Sequence, residues 1–216
     1  MPHVCGLYHE DLLFNAMIAR ILSLAFATAS LSGCNTAGNA WQNSAGADAV
    51  GASYVSGGGE SPQEPSRRPE LVRRIVPYNG EEAAGSIVIN TSERRLYLVL
   101  ADGSAIRYPV GVGRAGKQWQ GRSEVDGAYV EPAWAPTDEI KRDNPDGPDL
   151  ISGGASNNPM GSRALTLIDG KYAIHGTNRR ESVGTYASYG CIRMFNEDII
   201  DLFGRVGVGT TVVVAL

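Results

Sequence analysis

The sequence is poor in the residues that hold metals and cross-link chains. Its 216 residues include only three cysteines (Cys5, Cys34, Cys191) and three histidines (His3, His9, His175). It has no basic run, and its net charge of -4 leaves no electrostatic footprint for nucleic acid. Its most apolar N-terminal stretch, Ile21 to Leu31, is eleven residues long. That is short of the roughly 20 apolar residues that a membrane-spanning helix needs. No internal repeat is present. Glycine, by contrast, is abundant: 27 glycines with 11 prolines argue against a helix bundle and for a turn-rich, mainly β fold with short helices. The length suits one domain, or one domain with tails.

The eleven-residue stretch has a meaning of its own. Arg20 before it supplies a positive n-region, and the run suits the apolar core of a secretory signal. It ends in Leu31-Ser32-Gly33-Cys34, which resembles the bacterial lipoprotein box, where cleavage precedes a cysteine that carries diacylglycerol through its sulfur. Residues 1–34 are therefore expected to be a lipoprotein signal peptide ending at Cys34, the lipidation site. The expected product is exported to the periplasm and anchored to a membrane by its lipid; Asn35 after the lipid cysteine leans towards the outer one. Residues 1–16, with Glu10, Asp11 and two histidines, do not look like an n-region, so Met17 is an alternative start.

Cleavage at that point changes the count of reactive groups. It removes Cys5, His3 and His9, and lipidation takes up the sulfur of Cys34. One thiol, Cys191, and one imidazole, His175, are left. An internal disulfide is then excluded, as is a zinc site built from several Cys and His, which needs about four donors. The expected chemistry uses no metal and no organic cofactor.

Residues 35–84 are small, polar and rich in Gly, Ser, Ala and Pro as far as about position 70, which reads as a flexible tether. Glu70 to Tyr78 is transitional. Residues 85–216 carry the folded domain. S-I-V-I-N, R-L-Y-L-V-L and A-I-R-Y-P-V read as three strands, with a hairpin at Asp102-Gly103 and Leu96, Leu98 and Leu100 on one face. A-L-T-L-I and K-Y-A-I-H-G form a second hairpin that turns at Asp169-Gly170 and delivers His175 at a strand end. N-E-D-I-I-D-L-F-G reads as a helix with Asn196 as N-cap and Gly204 at its stop. T-T-V-V-V-A-L reads as a closing strand, and 117–163 as loops over the sheet.

Two motifs compete for a function. G111-V-G-R-A-G-K-Q118 fits a dinucleotide fingerprint and nearly fits a phosphate loop. Both require a helix to begin there, so that its amides face phosphate. The residues that follow have no helical periodicity, and Gln118 stands where a hydroxyl should bind Mg²⁺. A glycine-rich strand end is the better reading. The other motif is His175 with Cys191, sixteen positions on. Either alone reads as a packed residue. As a pair they suit thiol chemistry, because a neighbouring imidazole generates the thiolate. The amides of Tyr189, Gly190 and Cys191 can form a nest for an oxyanion, and Arg193 supplies a fixed charge for a substrate carboxylate. A surface ion pair of Arg193 with Glu197 or another acid is the plainer alternative.

With Y-P-V-G-V-G-R, N-N-P-M-G-S-R-A-L, I-H-G-T and S-Y-G-C-I-R-M-x-N, the chain resembles the L,D-transpeptidase catalytic domains of bacterial cell-wall enzymes from Gly85 to its C-terminal strand. The resemblance implies a β-sandwich-like fold. It makes Cys191 the nucleophile, His175 the base and the Gly176 carbonyl the group that orients the imidazole. Tyr189 and Gly190 would lie at the oxyanion, with Ser188 and Arg193 holding the substrate. It further implies that the thiolate attacks the L-centre carbonyl of diaminopimelate in a peptidoglycan tetrapeptide stem, releases D-alanine and passes the acyl group to an amine to form a 3-3 cross-link. Many members carry histidine where this chain has Tyr189. On the same fold, water as acceptor gives a carboxypeptidase or endopeptidase, and a lipoprotein lysine gives a protein-to-wall transferase. A non-catalytic wall-binding lipoprotein is the alternative of another class. Sortases usually separate His and Cys more widely, and papain-like wall peptidases place Cys before His. The domain is expected to act as a monomer.

Overall fold

The computed structural model describes residues 69–168 and 170–216. The expected signal peptide, the lipidation site Cys34, most of the tether and Asp169 lie outside the described residues.

Four short strands open the fold as an antiparallel set: β1 (Arg74–Pro77), β2 (Ile87–Asn90), β3 (Arg95–Val99) and β4 (Ser104–Pro109), with β3 between β2 and β4 and β1 on the far side of β4. The β3–β4 turn falls at Asp102-Gly103 as expected. Gly103 has φ 76°, and the Asp102 carboxylate accepts the Ser104 amide at 3.1 Å. Leu96 and Leu98 are buried together on one face, as their spacing predicts. Because β1 pairs with β4, ordered pairing begins in the transitional segment, upstream of the expected boundary at Gly85.

The chain then forms β5 (Val112–Gly113) and β6 (Gly121–Val130), followed by helix α1 (Asp138–Asp143). β6 corrects the reading of 117–163 as loops. Its ten residues alternate charged and small side chains, with only Val125 and Gly127 buried, so local propensity does not announce it. Pairing on both edges, with strands distant in sequence, overrides that weak propensity. The hairpin β7 (Arg163–Leu167) and β8 (Ala173–His175) follows, then β9 (Tyr186–Ser188), β10 (Ile192–Arg193), helix α2 (Asn196–Phe203) and β11 (Thr211–Ala215).

Nine strands form one mixed sheet in the order β1-β4-β3-β2-β11-β6-β7-β8-β10, while β5 and β9 pair separately. β11 lies parallel to β2 and antiparallel to β6, and so joins the two halves. Ile87, Leu96 and Leu98 from one half share a single buried cluster with Leu165, Ile174 and Ile192 from the other. The two halves therefore close on one core, which is the sandwich-like, mainly β architecture expected. Each of these large aliphatic side chains contributes about 1.5–3 kcal/mol by leaving water.

α2 packs on β7 and β8 through the buried Ile199 and Leu202. Phe195, not Asn196, is its N-cap residue. The Asn196 side chain is occupied elsewhere: it accepts the Ser162 amide at 3.0 Å and donates to the Thr177 carbonyl at 3.2 Å. It thus clamps the end of β8 to the loop before β7. Among the described residues no helix is long and apolar enough to cross a membrane.

Candidate active site

β8 and β10 run side by side and parallel, with Ile192 opposite Ile174 and Arg193 opposite His175. Extending that register one step back sets Cys191 opposite Ala173. The Ala173 amide lies 3.4 Å from the Cys191 sulfur and points at it. Alternation along β8 puts Ala173 and His175 on the same face. Residues sixteen apart in sequence are thus brought to one edge of the sheet. Both line a cavity of about 920 Å³, together with Trp134, Tyr172, Arg179 and Arg193.

His175 is buried, and its Nδ1 lies 2.6 Å from the Gly176 carbonyl oxygen. A carbonyl can only accept, so Nδ1 carries the proton and Nε2 keeps its lone pair. A Cβ on Gly176 would collide with Asn196 Oδ1, so no side chain fits at this position. Burial, reinforced by the Arg193 charge, pushes the His175 pKa down from 6.5 to about 3, against the pull of the Gly176 and Met160 backbone. The resting ring is neutral, and a thiolate beside it would favour its protonation.

Cys191 is buried, and its sulfur is disulfide-bonded. Cys191 is the one cysteine within the described residues. The expectation that an internal disulfide is excluded rested on cleavage before Cys34, which lies outside them. Thiol chemistry requires this sulfur in its reduced form.

The turn that carries the sulfur is built by Ser188. Its hydroxyl donates to the Cys191 carbonyl at 2.6 Å and accepts the Gly190 amide at 3.0 Å. Two expectations change here. Ser188 is buried and spends its hydroxyl on the turn that carries Cys191, so that hydroxyl is not free to grip substrate. The Gly190 amide is committed to Ser188 and leaves the expected oxyanion nest. Gly190 is required here for a different reason, since its φ is 125° and a Cβ there would lie 2.5 Å from Tyr172 Cε1. Tyr172 stacks on Trp119 at 4.5 Å, and the Trp119 indole donates to the Gly190 carbonyl at 3.1 Å. The backbone of the turn is therefore pressed against an aromatic floor.

Arg193 is held from behind by paired backbone bonds to Gly111, both 2.8 Å. The glycine of the discarded nucleotide motif thus serves as strand backbone for the site. The buried Arg193 Nε has no hydrogen-bond partner among the described residues. The expected rival partner Glu197 is bound by Arg180, through bonds of 3.1 and 2.8 Å. Burial and the nearby Arg179 both lower the Arg193 pKa. A desolvated guanidinium whose Nε has no partner among the described residues, at the rim of a cavity, is suited to a carboxylate.

Other structural residues of the site went unread in the sequence. The side-chain amide of Asn158 donates to Pro132 and Ser152 carbonyls at 2.8 and 3.0 Å, and its Oδ1 accepts the Met160 amide at 2.8 Å. It shapes the loop that brings Met160 to the imidazole. The run N-N-P-M-G was the available signal, but its role depends on loop partners far away in sequence. Among the described residues no three His, Cys, Asp or Glu side chains gather in a metal-holding group.

Residues 84–214 match the YkuD family, described as the L,D-transpeptidase catalytic domain. The chain is 37% identical over 142 residues to the probable L,D-transpeptidase ErfK/SrfK of Escherichia coli strain K12, covering 58% of this chain and 42% of that protein. It is 39% identical over 135 residues to the probable L,D-transpeptidase YbiS of the same organism, covering 58% and 43%. The chain thus spans less than half the length of these relatives. The solved structure of the Ldtfm-avibactam carbamoyl enzyme superposes with a TM-score of 0.50 at 16% identity, over 62% of this chain and 50% of that one, a likeness of fold.

Proposed function

Because the chain belongs to the L,D-transpeptidase catalytic-domain family, we propose that it transfers peptidoglycan acyl groups through a thioester on Cys191. The observation that carries this reading is the parallel pairing of β8 and β10, with Cys191 and His175 lining one cavity beside Arg193, whose Nε has no partner among the described residues.

His175 Nε2 takes the thiol proton, held in the needed tautomer by Gly176. The thiolate adds to the carbonyl on the L-centre of diaminopimelate in a tetrapeptide stem, and the electron pair moves onto oxygen. Arg193 binds a stem carboxylate and fixes the carbonyl over the sulfur. When the C–N bond breaks, the imidazolium returns its proton to the departing nitrogen and D-alanine leaves. An acceptor amine, in this proposal the side chain of a second diaminopimelate, then attacks the thioester and gives its proton to His175. The sulfur leaves as thiolate and a 3-3 cross-link has formed. Orientation and general base action at such a pair contribute roughly 10²–10⁴-fold in rate.

The proposal extends to the segment before the domain: residues 1–34 direct export, Cys34 carries lipid, and the tether lets a monomeric domain reach the wall. Loss of membrane fractionation in Cys34→Ala checks that part.

The test of function incubates the reduced protein with disaccharide-tetrapeptide and follows the products by mass. Cross-linked dimer with stoichiometric D-alanine is expected. Tripeptide without dimer would replace transfer to an amine by hydrolysis, and no product under reducing conditions would leave a wall-binding module.

A further inference from the structure

Tyr189 stands beside the nucleophile, yet its side chain points to a helix. Its hydroxyl donates to Asp143 Oδ2 of α1 at 2.6 Å. The Arg114 guanidinium lies 4.0 Å over the Tyr189 ring and reaches the same Asp143 oxygen at 3.0 Å. The Arg114 backbone amide in turn donates to the Ser188 carbonyl at 2.9 Å, which closes a ring of contacts on the nucleophile turn. Lys117, from the same loop as Arg114, pairs with Glu139 of α1 at 2.5 Å.

These bonds matter because α1 has little else to hold it. The helix has six residues and none of them is buried. A helix that short is not stable alone, and this one has no apolar face in the core to stabilise it. Thr137 caps it through the Ile140 amide at 3.3 Å, and Lys141 bonds to its own following loop. Yet Asp138, Glu139, Ile140 and Arg142 form part of the cavity wall. The wall's position relative to the sulfur is therefore set by polar contacts to the nucleophile turn.

We propose that Tyr189 is a positioning residue, whose phenol, with Arg114 and Asp143, holds α1 in place as the substrate-facing wall of the Cys191 cavity. The part that concerns substrate rests on the proposed acyl transfer; the part that concerns α1 does not. The side-chain role is separate from the backbone amide expected at the oxyanion, and it uses the hydroxyl that histidine at this position lacks.

Hydrogen exchange by mass spectrometry on the reduced full-length protein tests it, with Tyr189→Phe, Asp143→Ala and the double variant. Tyr97→Phe is the control, because it removes a comparable phenol–carboxylate bond, 2.6 Å to Glu93, on β3. Tyr189→Phe and Asp143→Ala are each expected to speed exchange across 138–144 about three- to tenfold, as for loss of one exposed hydrogen bond. The double variant should exceed the larger single effect by little, since both remove one shared contact. Protection over 186–194 should persist, and Tyr97→Phe should match wild type throughout. With the tetrapeptide donor, KM should rise by a similar factor and kcat change less. Exchange over 138–144 equal to wild type in both single variants overturns the proposal, as do fully additive effects or an unchanged KM. If the wild type shows no activity at all, the acyl-transfer reading fails, while the exchange results still judge the hold on α1.

Discussion

The buried Ser188 hydroxyl donates to the Cys191 carbonyl oxygen at 2.6 Å and takes the Gly190 amide at 3.0 Å, so one side chain fixes the 189–190 and 191–192 peptide groups. Ser188→Ala leaves a buried acceptor and a buried donor unmatched. It should destabilise the domain by roughly 1–3 kcal/mol. It should also slow acylation of Cys191, since the thiol loses its fixed approach. Denaturant unfolding gives the first quantity, and the rate of carbapenem adduct formation gives the second.

Gly190→Ala is expected to cost stability by two routes. The positive φ costs about 1–3 kcal/mol for a residue with a Cβ. The new methyl also meets Tyr172 Cε1 at 2.5 Å. Adding Tyr172→Leu should recover part of the lost melting temperature and leave the backbone part uncorrected. Full recovery would show that φ at this position carries no strain.

The neutral, buried His175 makes the domain sensitive to acid. Its pKa is 6.5 when exposed and about 3 when folded, so the unfolded chain binds a proton that the folded one refuses. Stability from this group is whole above about pH 6.5 and declines as pH falls towards the folded value, at up to about 1.4 kcal/mol per pH unit. His175→Asn should flatten the stability curve between pH 6 and about 4 relative to wild type. Chemical denaturation at a series of pH values measures it.

The imidazole should also govern rate. His175→Ala is expected to slow carbapenem acylation near neutral pH by roughly 10²–10⁴-fold. Stopped-flow absorbance checks this, with circular dichroism to confirm that the variant is folded.

In the chain before cleavage and lipidation, the disulfide at Cys191 makes reactivity conditional. Intact mass spectrometry should show a carbapenem adduct only after a thiol reductant has been added. Cys191→Ala should show none under either condition, while keeping a cooperative unfolding transition.

What the sequence revealed followed from proximity along the chain. The order Gly190, Cys191, Arg193 and the hairpin ending in His175 are local features, and periodicity placed Leu96 and Leu98 correctly. What stayed hidden depends on partners brought together by folding. β6 has no apolar alternation, because β7 and β11 supply its pairing. Ser188 reads as a substrate contact until its hydroxyl is seen turned inward. Asn196 looks like a helix cap, but the loop at Ser162 uses its side chain first. Tyr189 departs from a common residue, and only its distance to Asp143 gives that departure a purpose.

The place of β11 has a consequence for how the molecule is made. Val212 is paired on one side with Ile87 and on the other with Ser123, so the strand is a keystone that joins two pieces of the sheet. Until it arrives, β2 and β6 each expose an unpaired edge, a template for sticking to other chains. Closing so distant a pairing is slow. A chain with both edges open would therefore be more exposed to aggregation than the folded domain, and a companion that covers strand edges would raise its yield.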